Sequence, residues 1–187
     1  MLGVMAPKSD YVGAGLILIT RDLQVLLVKD ANSDKWGFPK GHREPIDVND
    51  IATACREVAE ETGIQAGDYS IVPAPFRIMR GTSTYIFRYA VMRDMHTVGS
   101  LTAPNEVSEL RWVSIVDILI DGDFFGDRLG NKYLRTWIQD LREAGCDPQN
   151  SPKKTVAVLF KCIYELLGAE ARLLCSHFKY PCVRVTS

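Results

Sequence analysis

The chain has 187 residues, is 47% hydrophobic and carries a formal net charge of −1, enough length and apolar content for one well-buried domain. No apolar run approaches the roughly 18 residues of a membrane span, and the opening MLGVMAPKSD lacks the apolar core of a secretory signal. Five cysteines, odd in number and without a CxxC pair, argue against a disulfide framework or a zinc site and for a reducing, cytoplasmic setting.

Residues Tyr11 to Thr20 and Leu23 to Lys29 read as two strands turned about Arg21-Asp22. Gly13 and Gly15 in the first allow close packing, the favoured reading, or close approach by a ligand. A polar loop, Ala31 to Lys35, leads into Trp36-Gly37-Phe38-Pro39-Lys40-Gly41, where Trp36 and Phe38 are expected to pack on the sheet and Lys40 to reach a phosphate. The next helix carries Glu57, Glu60 and Glu61 at i, i+3 and i+4, three carboxylates on one face within about one turn. Ile51, Cys55, Val58 and Thr62 are expected to form the opposite, packing face, leaving the acids off the core. Asn49 or Asp50 can cap its start and Gly63 its end. Like charges so crowded are relieved by a hard divalent cation, Mg²⁺ or Mn²⁺, which prefers oxygen ligands.

Further on, Ile71 to Arg80 and Thr84 to Arg93 read as a strand pair about Gly81-Thr82-Ser83, with Tyr85, Phe87 and Tyr89 on one face. Met95 to Pro104 reads as a loop and Leu110 to Val113 as a short strand. Ser114-x-x-Asp117 resembles a capping box before a helix, Ile115 to Ile120. Asp121 to Gly130 is a link. Lys132 to Ala144 is amphipathic through Leu134, Trp137, Ile138 and Leu141. Lys154 to Leu167 is a second such helix after a Gly145 to Pro152 turn, and Ala169 to Phe178 a third. His42, His96 and His177 are too scattered for a metal cluster and read as surface or packing residues. Residues 1–127 hold 12 Lys and Arg against 18 Asp and Glu, and residues 128–187 hold 10 against 5. That basic carboxy-terminal part is a solvated surface or an attraction for an RNA backbone.

The stretch Trp36 to Ile64 resembles the Nudix box, G-x5-E-x7-R-E-U-x-E-E-x-G-U. Gly41, Arg56, Glu57, Val58, Glu60, Glu61, Gly63 and Ile64 match it in type. It departs in having Asp47 for the first Glu, with eight residues rather than seven before Arg56. The shorter, shifted Asp47 is therefore expected to reach Arg56 poorly.

The resemblance covers about residues 10 to 145 and implies the Nudix fold of the α+β class, a mixed sheet sandwiched between helices. Residues 1–145 would form that domain and 146–187 a helical extension packed on it. It implies that Glu57, Glu60, Glu61 and the Gly41 carbonyl hold Mg²⁺ or Mn²⁺, with a further acid from Asn105 to Trp112, Glu106 before Glu109. Glu57, Glu61 and Glu106 would serve catalysis, with Arg56 orienting the glutamates. The implied reaction is hydrolysis of a nucleoside diphosphate linkage. WGFPKG and NEVSELRWVSI resemble mRNA-decapping members, cellular or virus-encoded, while WxxPKGHxEP resembles diadenosine tetraphosphate hydrolases. Capped RNA is ranked first, with Lys154 and Lys161, two turns apart beside Lys153, as its backbone contacts. Dinucleoside polyphosphates and diphosphoinositol polyphosphates are the alternatives, and a catalytically silent RNA- or protein-binding module is the reading from another class. Nothing in the sequence fixes an oligomeric state.

Overall fold

Strand β1 (Gly13–Ile19) is buried along its whole length, and its alternation assigns each side chain to one of two cores. Ile17 and Ile19 join Leu27, Phe87, Tyr89, Leu134, Trp137 and Ile138 on one face of the sheet. Leu16 and Leu18 join Leu26, Ala54, Val58 and Ile86 on the other. In this computed structural model, which describes residues 11–73, 75–80, 83–94, 99–120 and 129–146, the sheet is thus covered on both sides.

Eight strands make one mixed sheet. They are β1, β2 (Gln24–Asp30), β3 (Trp36–Gly37), β4 (Lys40–His42), β5 (Tyr69–Ile71), β6 (Phe76–Arg80), β7 (Ser83–Met92) and β8 (Val107–Ser114). The path β3-β2-β1-β7-β5 forms the spine, with β4 on β1, β6 on β7 and β8 on β2. β1 runs parallel to β7, from Gly13 beside Tyr85 to Ile19 beside Val91. Helix α1 (Asp50–Thr62) lies on the face of Leu16 and Leu18, and α2 (Ile115–Ile120) with α3 (Lys132–Cys146) on the other. No helix among the described residues is long and apolar enough to cross a membrane.

Local chemistry accounts for most boundaries. The Asn49 side chain accepts from the Ala52 N–H at 2.9 Å to start α1, and Gly63, at φ 70°, closes it in the left-handed region that glycine adopts most cheaply. Ser114 Oγ accepts from the Asp117 N–H at 3.2 Å, as the capping-box reading expects. Asn131 Oδ1 caps α3 through the Tyr133 and Leu134 N–H groups, both at 3.0 Å. Gly13 and Gly15 let β4 lie directly on β1: a Cβ would stand 2.2 Å from the Gly41 oxygen at the first and 2.4 Å from the Pro39 oxygen at the second.

Several expectations change. The run from Ile71 to Arg80 is two strands rather than one, broken where Pro73 and Pro75 cannot donate to a ladder. β8 begins at Val107, three residues before the expected strand. Ile51, expected inward, is 36% exposed, while Glu57 and Glu61, expected off the core, are 7% and 8% exposed. The buried side of α1 runs through Thr53, Ala54, Glu57, Val58, Glu61 and Thr62, so the helix is rotated to bring two of its acids toward the sheet. The helices expected after residue 146, with Lys153, Lys154 and Lys161, lie outside the described residues, as do His96 and His177.

Candidate active site

One open cleft of about 340 Å³ gathers residues from five parts of the chain. β2 and the loop after it supply Asp30 and Asn32, β4 supplies Lys40, Gly41 and His42, and the following turn Glu44. α1 supplies Arg56, Glu57, Glu60 and Glu61, and the turn before β8 supplies Glu106. The last is placed by backbone: the Ala31 N–H donates to the Glu106 carbonyl at 2.8 Å, pinning that turn beside the end of β2. Glu109 is not brought in. It lies on β8 beside Lys29 and pairs with Arg111 at 2.6 Å.

The three helical acids do not share one environment. Glu57 lies under β4, where Gly41 has no side chain; a Cβ there would stand 2.1 Å from its carboxyl carbon. Glu61 accepts the Lys40 backbone N–H at 3.1 Å. Glu60 is at the rim, 55% exposed in its side chain. Burial pushes the Glu61 carboxyl up to about 8, against the lowering effect of the Lys40 charge and N–H, and with Glu57 and Glu106 adding repulsion. Burial raises Glu57 too, opposed by Arg56.

Arg56 stands behind these acids and is fully engaged. Its Nη1 donates to Glu60 Oε2 and lies 2.9 Å from Glu57 Oε1. Its Nε and Nη2 grip Asp47 at 3.2 and 3.0 Å, and Nη2 also donates to the His42 carbonyl at 2.8 Å. The expected poor reach of Asp47 is thus overturned. The turn from Glu44 to Asp47, closed by the Asp47 N–H on the Glu44 carbonyl at 3.0 Å, aims the short side chain inward. Its contact with Arg56 is two-pronged, the strong geometry for a guanidinium and a carboxylate. Hydrogen bonds from Arg56 hold the Asp47 carboxyl down to about 2, outweighing its burial, with the Glu44 N–H and Thr53 assisting. Arg56 is raised in turn, chiefly by Asp47.

The donor set suits a hard divalent cation: carboxylate oxygens, two of them buried and resisting ionisation without a counter-charge. Among the described residues, no three such side chains are already drawn together at ligand spacing, and Arg56 Nη1 bonds both Glu57 and Glu60. The Gly41 carbonyl oxygen lies against Gly13 of β1. Lys40 reaches the cleft with its Nζ 5.9 Å from the Tyr85 ring centre and 5.8 Å from that of Tyr133. Sequence reasoning missed Asp30, Asn32 and the cleft-lining place of His42, whose Nε2 lies 3.0 Å from the Tyr85 hydroxyl. None of these carries a local pattern that signals its position.

Two pH effects follow. Asp47 titrates near 2 in the fold against an ordinary 3.8, so its ionised form stabilises the fold above about pH 4, and this is lost as pH falls from 4 toward 2. Asp47→Asn should therefore cost on the order of 2 kcal/mol at pH 7 and far less at pH 2, as read from urea unfolding at both. Glu61 has the opposite sign. Its folded value near 8 exceeds the ordinary 4.5, so metal-free stability declines as pH rises through that window. In EDTA, Glu61→Gln should melt several degrees above the wild type at pH 8 and close to it at pH 5.

The NUDIX domain family model matches residues 11–133. Among curated proteins, the chain is 48% identical over 40 residues to a putative mRNA-decapping protein of Acanthamoeba polyphaga mimivirus, covering 21% of this chain and 11% of that one. It is 40% identical over 62 residues to the m7GpppN-mRNA hydrolase of Saccharomyces cerevisiae, covering 33% and 6%. The matches thus span about a tenth or less of those relatives' lengths. Among solved structures, a C. elegans Ap4A hydrolase binary complex superposes with a TM-score of 0.55 at 18% identity, covering 70% of this chain and 96% of that one, a likeness of fold. With most of its length matched by the family model and the box glutamates gathered in one cleft, the chain belongs to the NUDIX domain family of hydrolases.

Proposed function

We propose that the protein is a divalent-metal-dependent pyrophosphohydrolase acting on a nucleoside diphosphate linkage, with the 5′ cap of mRNA as its preferred substrate. The observation that carries the reaction class is the pairing of buried Glu57 and Glu61 with Glu106 and Lys40 around one cleft. Glu57, Glu60, Glu61 and Glu106, with the Gly41 carbonyl, are the proposed metal ligands, whether for Mg²⁺ or Mn²⁺. Bound there, the metal would neutralise the diphosphate and lower the pKa of a water molecule.

The protein's own groups divide the remaining work. Arg56 keeps Glu57 and Glu60 oriented, and its bonds to Asp47 and the His42 carbonyl leave it a positioning group rather than a contact for substrate. Lys40 places a positive charge at the cleft and attracts phosphate. The acids of Asp30 and Glu106 stand on the wall contributed by β2 and the turn before β8, and Lys40 and His42 on that of β4. A polyphosphate is accordingly favoured along the β4 wall.

Capped RNA is ranked first on WGFPKG, on the basic carboxy-terminal sequence, on the segment around Glu106, and on curated relatives named a putative mRNA-decapping protein and an m7GpppN-mRNA hydrolase. A dinucleoside polyphosphate is the second reading, supported by WxxPKGHxEP, and a diphosphoinositol polyphosphate the third. A cytoplasmic setting, cellular or viral, accompanies the first. The presence of Glu57, Glu60 and Glu61 together weighs against a silent binding module.

Glu60→Gln and Glu61→Gln, each removing a charged metal ligand, should abolish turnover in a folded protein, measured with Mg²⁺ and with Mn²⁺ on capped RNA, dinucleoside polyphosphates, nucleotide sugars and diphosphoinositol phosphates. Normal turnover in both variants would refute the metal site, and no turnover of any substrate by the wild type would favour the silent module.

Reversing Lys153, Lys154 and Lys161 to Glu tests the substrate. A long RNA spreads its phosphates beyond the cleft, so the triple change should weaken its binding and reduce the salt slope by about 0.7 for each phosphate that a lysine no longer neutralises. Hydrolysis of a short cap analogue should barely change. Equal behaviour of the variant on long and short substrates would move the dinucleoside polyphosphate reading to first place.

A further inference from the structure

The loop before α1 holds Asp47 in an unusual way. Its neighbours Ile46 and Val48 are 77% and 82% exposed, so no apolar packing of the loop's own fixes where Asp47 stands. Asp47 itself is 4% exposed. What fixes it is a set of polar ties, and two begin at a residue far away in sequence.

Tyr11, just before β1, is 7% exposed, and its hydroxyl lies 3.1 Å from Oγ1 of fully buried Thr53 in the first turn of α1. Thr53 has one hydroxyl proton. It is donated to the Asn49 carbonyl at 3.3 Å, two residues beyond Asp47. With that proton used, the Tyr11 hydroxyl donates to Thr53, which makes a directed chain from Tyr11 through Thr53 to Asn49 at the end of the loop. The Tyr11 ring also lies under the Arg43 guanidinium at 5.3 Å, and Arg43 Nη2 donates to the Asp47 carbonyl at 3.3 Å. One aromatic side chain thus restrains the loop at two points, the Asn49 carbonyl and the Asp47 main chain.

We propose that Tyr11, acting through Thr53, is a positioning residue that holds the Asp47–Arg56 pair in register and so sets how tightly the Glu57–Glu61 site binds a divalent cation. The inference rests on the metal-site reading given above. Its physical basis is that the loop carries one residue more than the box pattern and a shorter acid, so Arg56 meets Asp47 only while the loop is held inward. Arg56 released from Asp47 would no longer be held where it meets Glu57 and Glu60, and the two acids would lose the fixed orientation that a cation site needs.

Mn²⁺ binding without substrate, followed by electron paramagnetic resonance of the free ion, tests this independently of any turnover. Tyr11→Phe and Thr53→Val should each weaken Mn²⁺ binding about tenfold, the scale on which hydrogen bonds behind metal ligands act, with melting temperatures within a few degrees of the wild type. Thr53→Ser should restore near-normal affinity, and the double variant should be little weaker than the weaker single, since both act through one chain of bonds. Should Tyr11→Phe fold poorly, Thr53→Ser against Thr53→Val makes the same comparison with the ring in place. Unchanged affinity in the folded single variants, or losses that multiply in the double variant, would overturn the role of Tyr11. A wild type that binds no Mn²⁺ would instead overturn the metal-site reading and this inference with it.

Discussion

The arrangement of the cleft depends on one guanidinium. Arg56 meets Asp47, Glu57, Glu60 and a main-chain carbonyl at once, and without that charge the acids around it would repel one another at close range. Its partners divide into two kinds. Asp47 is held ionised and buried as a fixed counter-charge, whereas Glu57, like Glu61 beside it, is pushed toward the neutral form. A pair of acids that resists ionisation yet lies open to a polar cleft favours the arrival of a cation.

The sheet makes this arrangement rigid. β1 is buried on both faces, with a separate apolar cluster on each side, so the strand that carries β4 has little freedom to shift. β4 in turn lies close on α1, because Gly41 leaves room for the Glu57 carboxyl and the Lys40 N–H bonds Glu61. The far end of α1 is tied as well: Thr102 donates to the Glu60 carbonyl and the Ser100 N–H to that of Thr62 at 2.8 Å. The helix is fixed at both ends and along one side, as a site that must hold oxygen ligands in place requires.

Much of this was legible from residues alone because it is local. The spacing of Glu57, Glu60 and Glu61, the caps at Asn49 and Gly63, and the alternation of Tyr85, Phe87 and Tyr89 depend on contacts within a few positions. Asp47 was misjudged for a related reason. Counting residues measures separation along the chain, whereas its reach depends on how the Glu44 to Asp47 turn is folded.

By itself the sequence determined most of the strands, the helices α1, α2 and α3, the box motif and therefore the family, since each is a pattern of residue types at fixed spacing. Only the tertiary structure decided the rotation of α1. That rotation buries Glu61 and leaves Glu60 at the rim, although the two are adjacent in the chain, because neighbouring helical residues point about 100° apart and the sheet selects which one faces it. It also decided that Glu106 rather than Glu109 lines the cleft, since β8 has already begun at Val107 and pairs Glu109 with β2. Asp30, His42 and Tyr11 belong to this second class. Their neighbours across space lie on other strands and helices, and that proximity is set by which strands pair and in what register.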